Sequence, residues 1–193
     1  MKKTTTFALA ALLLFGTAGL ASCGGAGEHY SITDGTDGLI YELNEKKNGY
    51  ILTNCATVET EIVVPELYNR LPVRAIGDEA FMYTTIDSLT LPKSLRTIGD
   101  RAFLGLSAES LITKIEIPEG VTSIGEESFY YIPSVKEIVI PSTLKEIGTK
   151  AFGLSTSLAR ITISDDNKYF TTASNILYTK DMTELVYYPE AIK

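Results

Sequence analysis

Ile76-Gly-Asp-Glu-Ala-Phe81 returns as Ile98-Gly-Asp-Arg-Ala-Phe103, Ile124-Gly-Glu-Glu-Ser-Phe129 and Ile147-Gly-Thr-Lys-Ala-Phe152. Four copies of one motif cannot be a single active site, so the motif is architecture. The steps from 76 to 98, 124 and 147 are 22, 26 and 23 residues, a period that marks a stacked solenoid. A second landmark precedes each copy: Ile62-Val-Val-Pro65, Leu89-Thr-Leu-Pro92, Ile115-Glu-Ile-Pro118 and Ile138-Val-Ile-Pro141, then the proline-free Ile161-Thr-Ile-Ser164. Proline and the following isoleucine of the motif stand six residues apart in the last three pairs, whereas Glu66-Leu-Tyr-Asn-Arg70 lengthens the first to eleven. A terminal copy that departs from the rest is expected of a stacked array.

The letters of one unit follow from packing. Alternating apolar residues before each proline predict a short strand with one face inward. The inward pairs are Ile62/Val64, Leu89/Leu91, Ile115/Ile117, Ile138/Ile140 and Ile161/Ile163. Proline ends the strand because it has no N–H for a ladder. The chain then returns through Val73, Leu95, Val121 or Leu144 to the motif isoleucine. Glycine is expected to permit a sharp turn, and the acid after it (Asp78, Asp100, Glu126) to cap a short helical turn. That turn brings Ala80/Phe81, Ala102/Phe103, Ser128/Phe129 and Ala151/Phe152 onto the core. One unit cannot bury its apolar face alone; several stacked units can.

The consensus LxxIxIPxxVxxIGxxAF resembles the BspA-type leucine-rich repeat, also called the Treponema pallidum class, over roughly residues 58–188. The flanks extend the resemblance. Gly38-Leu-Ile-Tyr-Glu-Leu43 with Gly49-Tyr-Ile-Leu-Thr53 is similar to the hairpin that opens such domains. Asn167-Lys-Tyr-Phe170, Ile176-Leu-Tyr178 and Leu185-Val-Tyr-Tyr-Pro189 are similar to their closing segment, with Ser174-Asn175 where the family often has Asp-Gly. A cysteine that the family often carries after the Ala-Phe pair is missing from all four repeats. The fold expected is β-rich: a leucine-rich-repeat solenoid with short parallel strands, short helical turns and hairpin-like caps at both ends. Its boundaries are a cap over residues 30–57, repeats over 58–164 and a closing segment over 165–193.

The leading residues carry a second resemblance. Lys2 and Lys3, the apolar run Phe7 to Phe15 and the small residues after it read as a secretory signal, too short for a permanent membrane span. It ends in Leu20-Ala21-Ser22-Cys23, which resembles the lipobox of bacterial lipoproteins. That resemblance implies cleavage after residue 22 and acylation of Cys23, and two or more acyl chains anchor a protein stably. Residues 23–29, with Gly24, Gly25 and Gly27, read as the lipidated cysteine and a flexible tether. Gly24 does not match the aspartate that enterobacterial lipoproteins use for inner-membrane retention, so an outer-membrane or cell-surface location is expected. Loss of residues 1–22 removes two lysines and no acid, moving the formal charge from −7 to −9 over 171 residues. An acidic domain of that size is a poor partner for nucleic acid and long enough to bury one core. With Cys23 acylated, Cys55 has no disulfide partner.

Catalytic and metal chemistry needs convergent titratable groups. The one histidine, His29, lies in the tether, and Cys55 has no histidine in the repeats to activate it. No Walker-type, GxSxG or HExxH string occurs. Asp165-Asp166-Asn167 lacks the remaining ligands of a calcium loop and reads as a polar turn. Neither an enzyme nor a cofactor or metal site is expected.

The outward strand positions remain. In a parallel stack with neighbours about 4.8 Å apart, equivalent residues form ladders. One reads Glu61, Ser88, Lys114, Glu137, Arg160 and the next Val63, Thr90, Glu116, Val139, Thr162, so opposite charges are expected to meet across strands. Binding residues are therefore sought at Glu61, Ser88, Thr90, Lys114, Glu116, Glu137, Arg160 and Thr162, on the face a solenoid presents to partners. The return segments carry a rival ladder, Arg74, Arg96, Thr122, Lys145. The family resemblance implies a non-enzymatic binding or adhesion module for a protein or glycan ligand in the bacterial envelope. A structural subunit of an envelope complex, or an envelope carbohydrate-processing enzyme, are the alternatives.

Overall fold

The computed structural model describes residues 35–189. The chain opens with a hairpin of β1 (Leu39–Leu43) and β2 (Tyr50–Cys55). The first coil holds β3 (Glu61–Val63), β4 (Leu67–Tyr68) and β5 (Leu71–Ile76). Each later coil has one strand before its proline and a two-residue strand on the return. These are β6 (Ser88–Thr90) with β7 (Thr97–Ile98), β8 (Lys114–Glu116) with β9 (Ser123–Ile124), and β10 (Glu137–Ile140) with β11 (Glu146–Ile147). The last coil gives β12 (Arg160–Ile163), and β13 (Phe170–Ala173), β14 (Ile176–Thr179) and β15 (Leu185–Tyr187) close the stack as an antiparallel sheet.

The wall before the prolines, the front, consists of the parallel pairs β3–β6 and β8–β10–β12. The back is one sheet in the order β1-β2-β5-β7-β9-β11, β2 pairing parallel with β5. The return segments are thus strands in their own right, because Arg74, Arg96 and Thr122 carbonyls accept the N–H groups of Arg96, Thr122 and Lys145 at 2.8, 2.8 and 2.9 Å. The insertion in the first coil is a β4–β5 hairpin, its turn made by Asn69 and Arg70 at φ 47 and 68. Positive φ at both central residues is the turn geometry that suits the twist of paired strands.

The corners are not the short helical turns expected from the sequence; among the described residues there is no helix. Glu79, Arg101, Glu127 and Lys150 each sit at φ between 52 and 58, which breaks any helical run. The acids do not cap their own turn either. Asp78 Oδ1 accepts the N–H of Asp100 at 2.9 Å, and Asp100 Oδ1 that of Glu126 at 2.8 Å, so each acid ties its corner to the next. The main chain follows suit: Phe81, Phe103 and Phe129 donate to the carbonyls of Ala102, Ser128 and Ala151 at 2.8, 2.8 and 2.7 Å. The motif glycine has a different reason from the one expected. Its φ is not positive; instead a Cβ on Gly99 would lie 2.7 Å from the Asp78 nitrogen, and one on Gly125 2.6 Å from that of Asp100. Only glycine lets neighbouring corners come that close.

Between the two walls lies a single apolar column. Phe81, Phe103, Phe129 and Phe152 stack with ring centroids 5.0, 5.1 and 6.0 Å apart, and Tyr187 closes the column edge-on against Phe152 at 5.5 Å. Fully burying each ring contributes about 1.5–3 kcal/mol. Buried polar groups lock coil to coil. The Glu66 carboxylate accepts the N–H groups of Lys93 and Ser94, and Ser94 Oγ donates to the carbonyl of Val73 at 2.8 Å. Asn167, read as part of a polar turn, is buried: its Nδ2 donates to the carbonyls of Pro141 and Leu144, and its Oδ1 accepts from Tyr169 and Phe170. At the opposite end Tyr41 stacks on Tyr68 at 4.3 Å and Tyr50 meets Tyr68 edge-on at 4.9 Å, sealing the opening hairpin.

Candidate binding face

The front strands are in the register the repeat spacing predicts. Glu61 faces Ser88, and Lys114, Glu137 and Arg160 stand side by side; one step on, Val63 faces Thr90, and Glu116, Val139 and Thr162 align. All point outward, since the alternate residues of the same strands face the core. The ladder is not continuous as expected. No hydrogen-bonded register joins β6 to β8, so Glu61 and Ser88 belong to one segment of the face and the Lys114 row to another.

Charge pairing also differs from the expectation of opposite charges meeting across strands. Lys114 pairs with Glu116 on its own strand, and that carboxylate, more than the neighbouring Glu137, holds the ammonium above the usual lysine range. Glu137 Oε1 instead accepts the Thr162 hydroxyl at 2.9 Å. Among the described residues Arg160 has no ion pair, which leaves an exposed cation at the edge of the row. Exposed pairs of this kind contribute little to stability, so these charges are free to serve recognition.

A groove of about 670 Å³ runs along the proline ends of the front strands. Its lining joins outward residues already named, Thr90, Glu116, Val139 and Thr162, to Leu89, Leu91, Ile117 and Ile163. Lys93 and Glu119 stand at its rim, two residues the strand pattern does not single out because they follow the prolines. Glu119 takes both the N–H and the hydroxyl of Ser142 at 2.9 Å, so it also holds the next coil. A sign of the groove is present in the sequence: the unit between Phe103 and Phe129 is the long one, 26 residues against 22 and 23.

The rival positions divide. Arg96 spends Nη1 on the carbonyls of Lys93 and Leu95, so it braces its own turn. Cys55 ends β2 half-buried, and burial pushes its thiol up, away from the thiolate a nucleophile needs. In the tyrosine pairs one ring is at least partly covered and the other exposed: Tyr130 beside the open Tyr131, and Tyr187 buried beside Tyr188. Cys23 and His29 lie outside the described residues. No three His, Cys, Asp or Glu side chains among the described residues converge as metal ligands would.

A repeating coil with parallel strand walls, a proline stop and a phenylalanine column defines a leucine-rich-repeat solenoid. The BspA type leucine rich repeat region matches residues 50–190 in six copies, and the chain belongs to that family. Repeats of this kind are generally protein-interaction modules and typically not enzymes. A leucine-rich repeat protein from Eubacterium ventriosum is 34% identical with a TM-score of 0.57; the match covers 62% of this chain and 31% of that one, so the chain spans about a third of its length. A leucine-rich repeat protein from Bacteroides capillosus is 23% identical with a TM-score of 0.58, covering 67% of this chain and 96% of that one. The T. pallidum leucine-rich repeat protein is similar at 23% identity and a TM-score of 0.52, over 68% of this chain and 71% of its own. At that identity these two share the fold alone. The comparison with curated proteins found no match.

Proposed function

We propose that this protein is a lipid-anchored binding or adhesion module of the bacterial cell envelope, held by acylated Cys23 and engaging a protein or glycan ligand with its front face. The observation that carries this reading is the groove at the proline ends of the front strands, lined by Thr90, Glu116, Val139 and Thr162, with the row of Lys114, Glu137 and Arg160 beside it on the same face. Extended faces of solenoids are suited to partner contact, and charges at the edge of such a contact set partner choice and association rate.

The anchor is tested with labelled palmitate. Wild-type protein should take up the label and sediment with membranes, while Cys23→Ala should lose both; label on the alanine variant would refute the assignment. The face is tested with a partner captured from envelope extracts. Reversing Lys114 and Arg160 to glutamate should weaken capture by about 1 kcal/mol or more, with the loss smaller at high salt. The control reverses Lys145, before the last return strand, and Lys150, at the corner after it, both exposed away from the front face, with the same change in net charge. Equal losses in both variants would mean general electrostatics, and loss in the control alone would move the site to the back.

A further inference from the structure

The front wall has one interruption, and its surroundings differ from every other step of the stack. β6 pairs with β3 and β8 with β10, leaving the edges of β6 and β8 that face each other without a ladder. Side chains bridge the gap at its entry: Asp87 Oδ1 accepts the N–H of Leu111 at 2.9 Å, and Ser110 Oγ that of Ile86 at 3.0 Å. The extra residues of the long unit force Leu111 outward, 72% exposed. The core side shows the consequence. Leu89 and Leu91 are only half-buried, whereas their counterparts Ile62, Val64, Ile115 and Ile117 are 1, 1, 1 and 4% exposed. The groove opens onto these two leucines, with Thr90 on one wall and Glu116 on the other.

Resting on the front-face reading above, we infer that this fissure seats an extended polypeptide segment, which places one bulky apolar side chain on Leu89 and Leu91 and lays its main chain on the edges left open by β6 and β8. Two features select a peptide. An unpaired strand edge offers donors and acceptors at the spacing of an extended main chain. The floor is aliphatic and the rim carries both signs, Lys93 and Glu116, which matches the termini or mixed side chains of a peptide better than the hydroxyl array of a glycan.

The test pans a phage-displayed random dodecapeptide library on the intact chain. Recovered peptides should share a large aliphatic or aromatic residue, and a synthetic copy should slow amide exchange at Leu91 and Glu116, while Ile117, whose N–H already donates to Val139, should change little. Thr90→Trp, a ring placed at the mouth from an exposed position, should weaken binding about tenfold or more. Glu116→Trp on the opposite wall repeats the block independently, and Thr149→Trp on an exposed corner should leave binding unchanged. No recovered peptide, or peptides indifferent to both blocking variants, would overturn the inference. Glycan-array ligands blocked by Thr90→Trp, with no peptide recovered, would overturn it while leaving the front face as the binding surface. Self-association blocked by the same variant would likewise replace the peptide by a second copy. A partner from envelope extracts that ignores Thr90→Trp and the Lys114/Arg160 reversal alike would remove the front-face reading itself.

Discussion

Phe103→Ala is expected to cost about 3–5 kcal/mol, the usual price of removing a large buried ring. Phe103 is fully buried between Phe81 and Phe129, with centroids 5.0 and 5.1 Å away and planes within 3° and 5° of parallel. Neither neighbour can close the gap, because the corners are held at fixed spacing by main-chain hydrogen bonds from Phe81 to Ala102 and from Phe103 to Ser128. The loss is therefore transfer energy plus a cavity that does not collapse. Among the described residues Cys55 is a free thiol, so no disulfide offsets the loss. Arg101→Ala, two residues earlier, removes only an exposed ion pair with Glu79 at 2.7 Å and keeps the same left-handed backbone. It should change stability by less than about 0.5 kcal/mol. Denaturant titration of the two variants checks the pair; similar midpoints would mean that the phenylalanine column does not carry the fold.

Asn167→Ala should be nearly as damaging, at about 3 kcal/mol or more. One buried amide satisfies four main-chain groups, the carbonyls of Pro141 and Leu144 and the N–H groups of Tyr169 and Phe170, at 2.8–3.0 Å. Alanine leaves all four without that partner, and each buried orphan costs about 1–3 kcal/mol where water cannot reach it. The last coil and the closing sheet would separate first, since Asn167 joins the turn after β10 to the start of β13. Amide exchange should accelerate at Phe170 before it does at Phe103, and Asp166→Ala, one residue away and exposed, should do neither. Uniform acceleration along the whole stack would show instead that the cap and the coils unfold as one unit.

These two residues mark the limits of reading the chain by itself. The recurring motif by itself sets Phe103 inward, because stacking identical units leaves one interior and every copy must fill it. Asn167 reads as part of a polar turn, because nothing in Asp165-Asp166-Asn167 distinguishes a solvated amide from one that meets four partners. The register of the outward rows was legible for the same reason as the column: equal spacing brings Lys114, Glu137 and Arg160 abreast. The pairing within the rows was not, since Lys114 turns along its strand to Glu116 and Glu137 turns diagonally to Thr162.

The repeat period, the strand register, the inward residues and the hairpin ends were determined by the sequence alone. All of them follow from one local pattern copied at nearly constant spacing, and a periodic pattern has one way to bury its apolar face. Only the tertiary structure decided the rest. The corner acids bond to the next coil instead of capping a helix, the motif glycine answers to a neighbour in the preceding coil, and the front wall parts between β6 and β8. Each of these depends on what the adjacent coil places within a few ångströms, and that distance is set by the stack as a whole, not by any one unit.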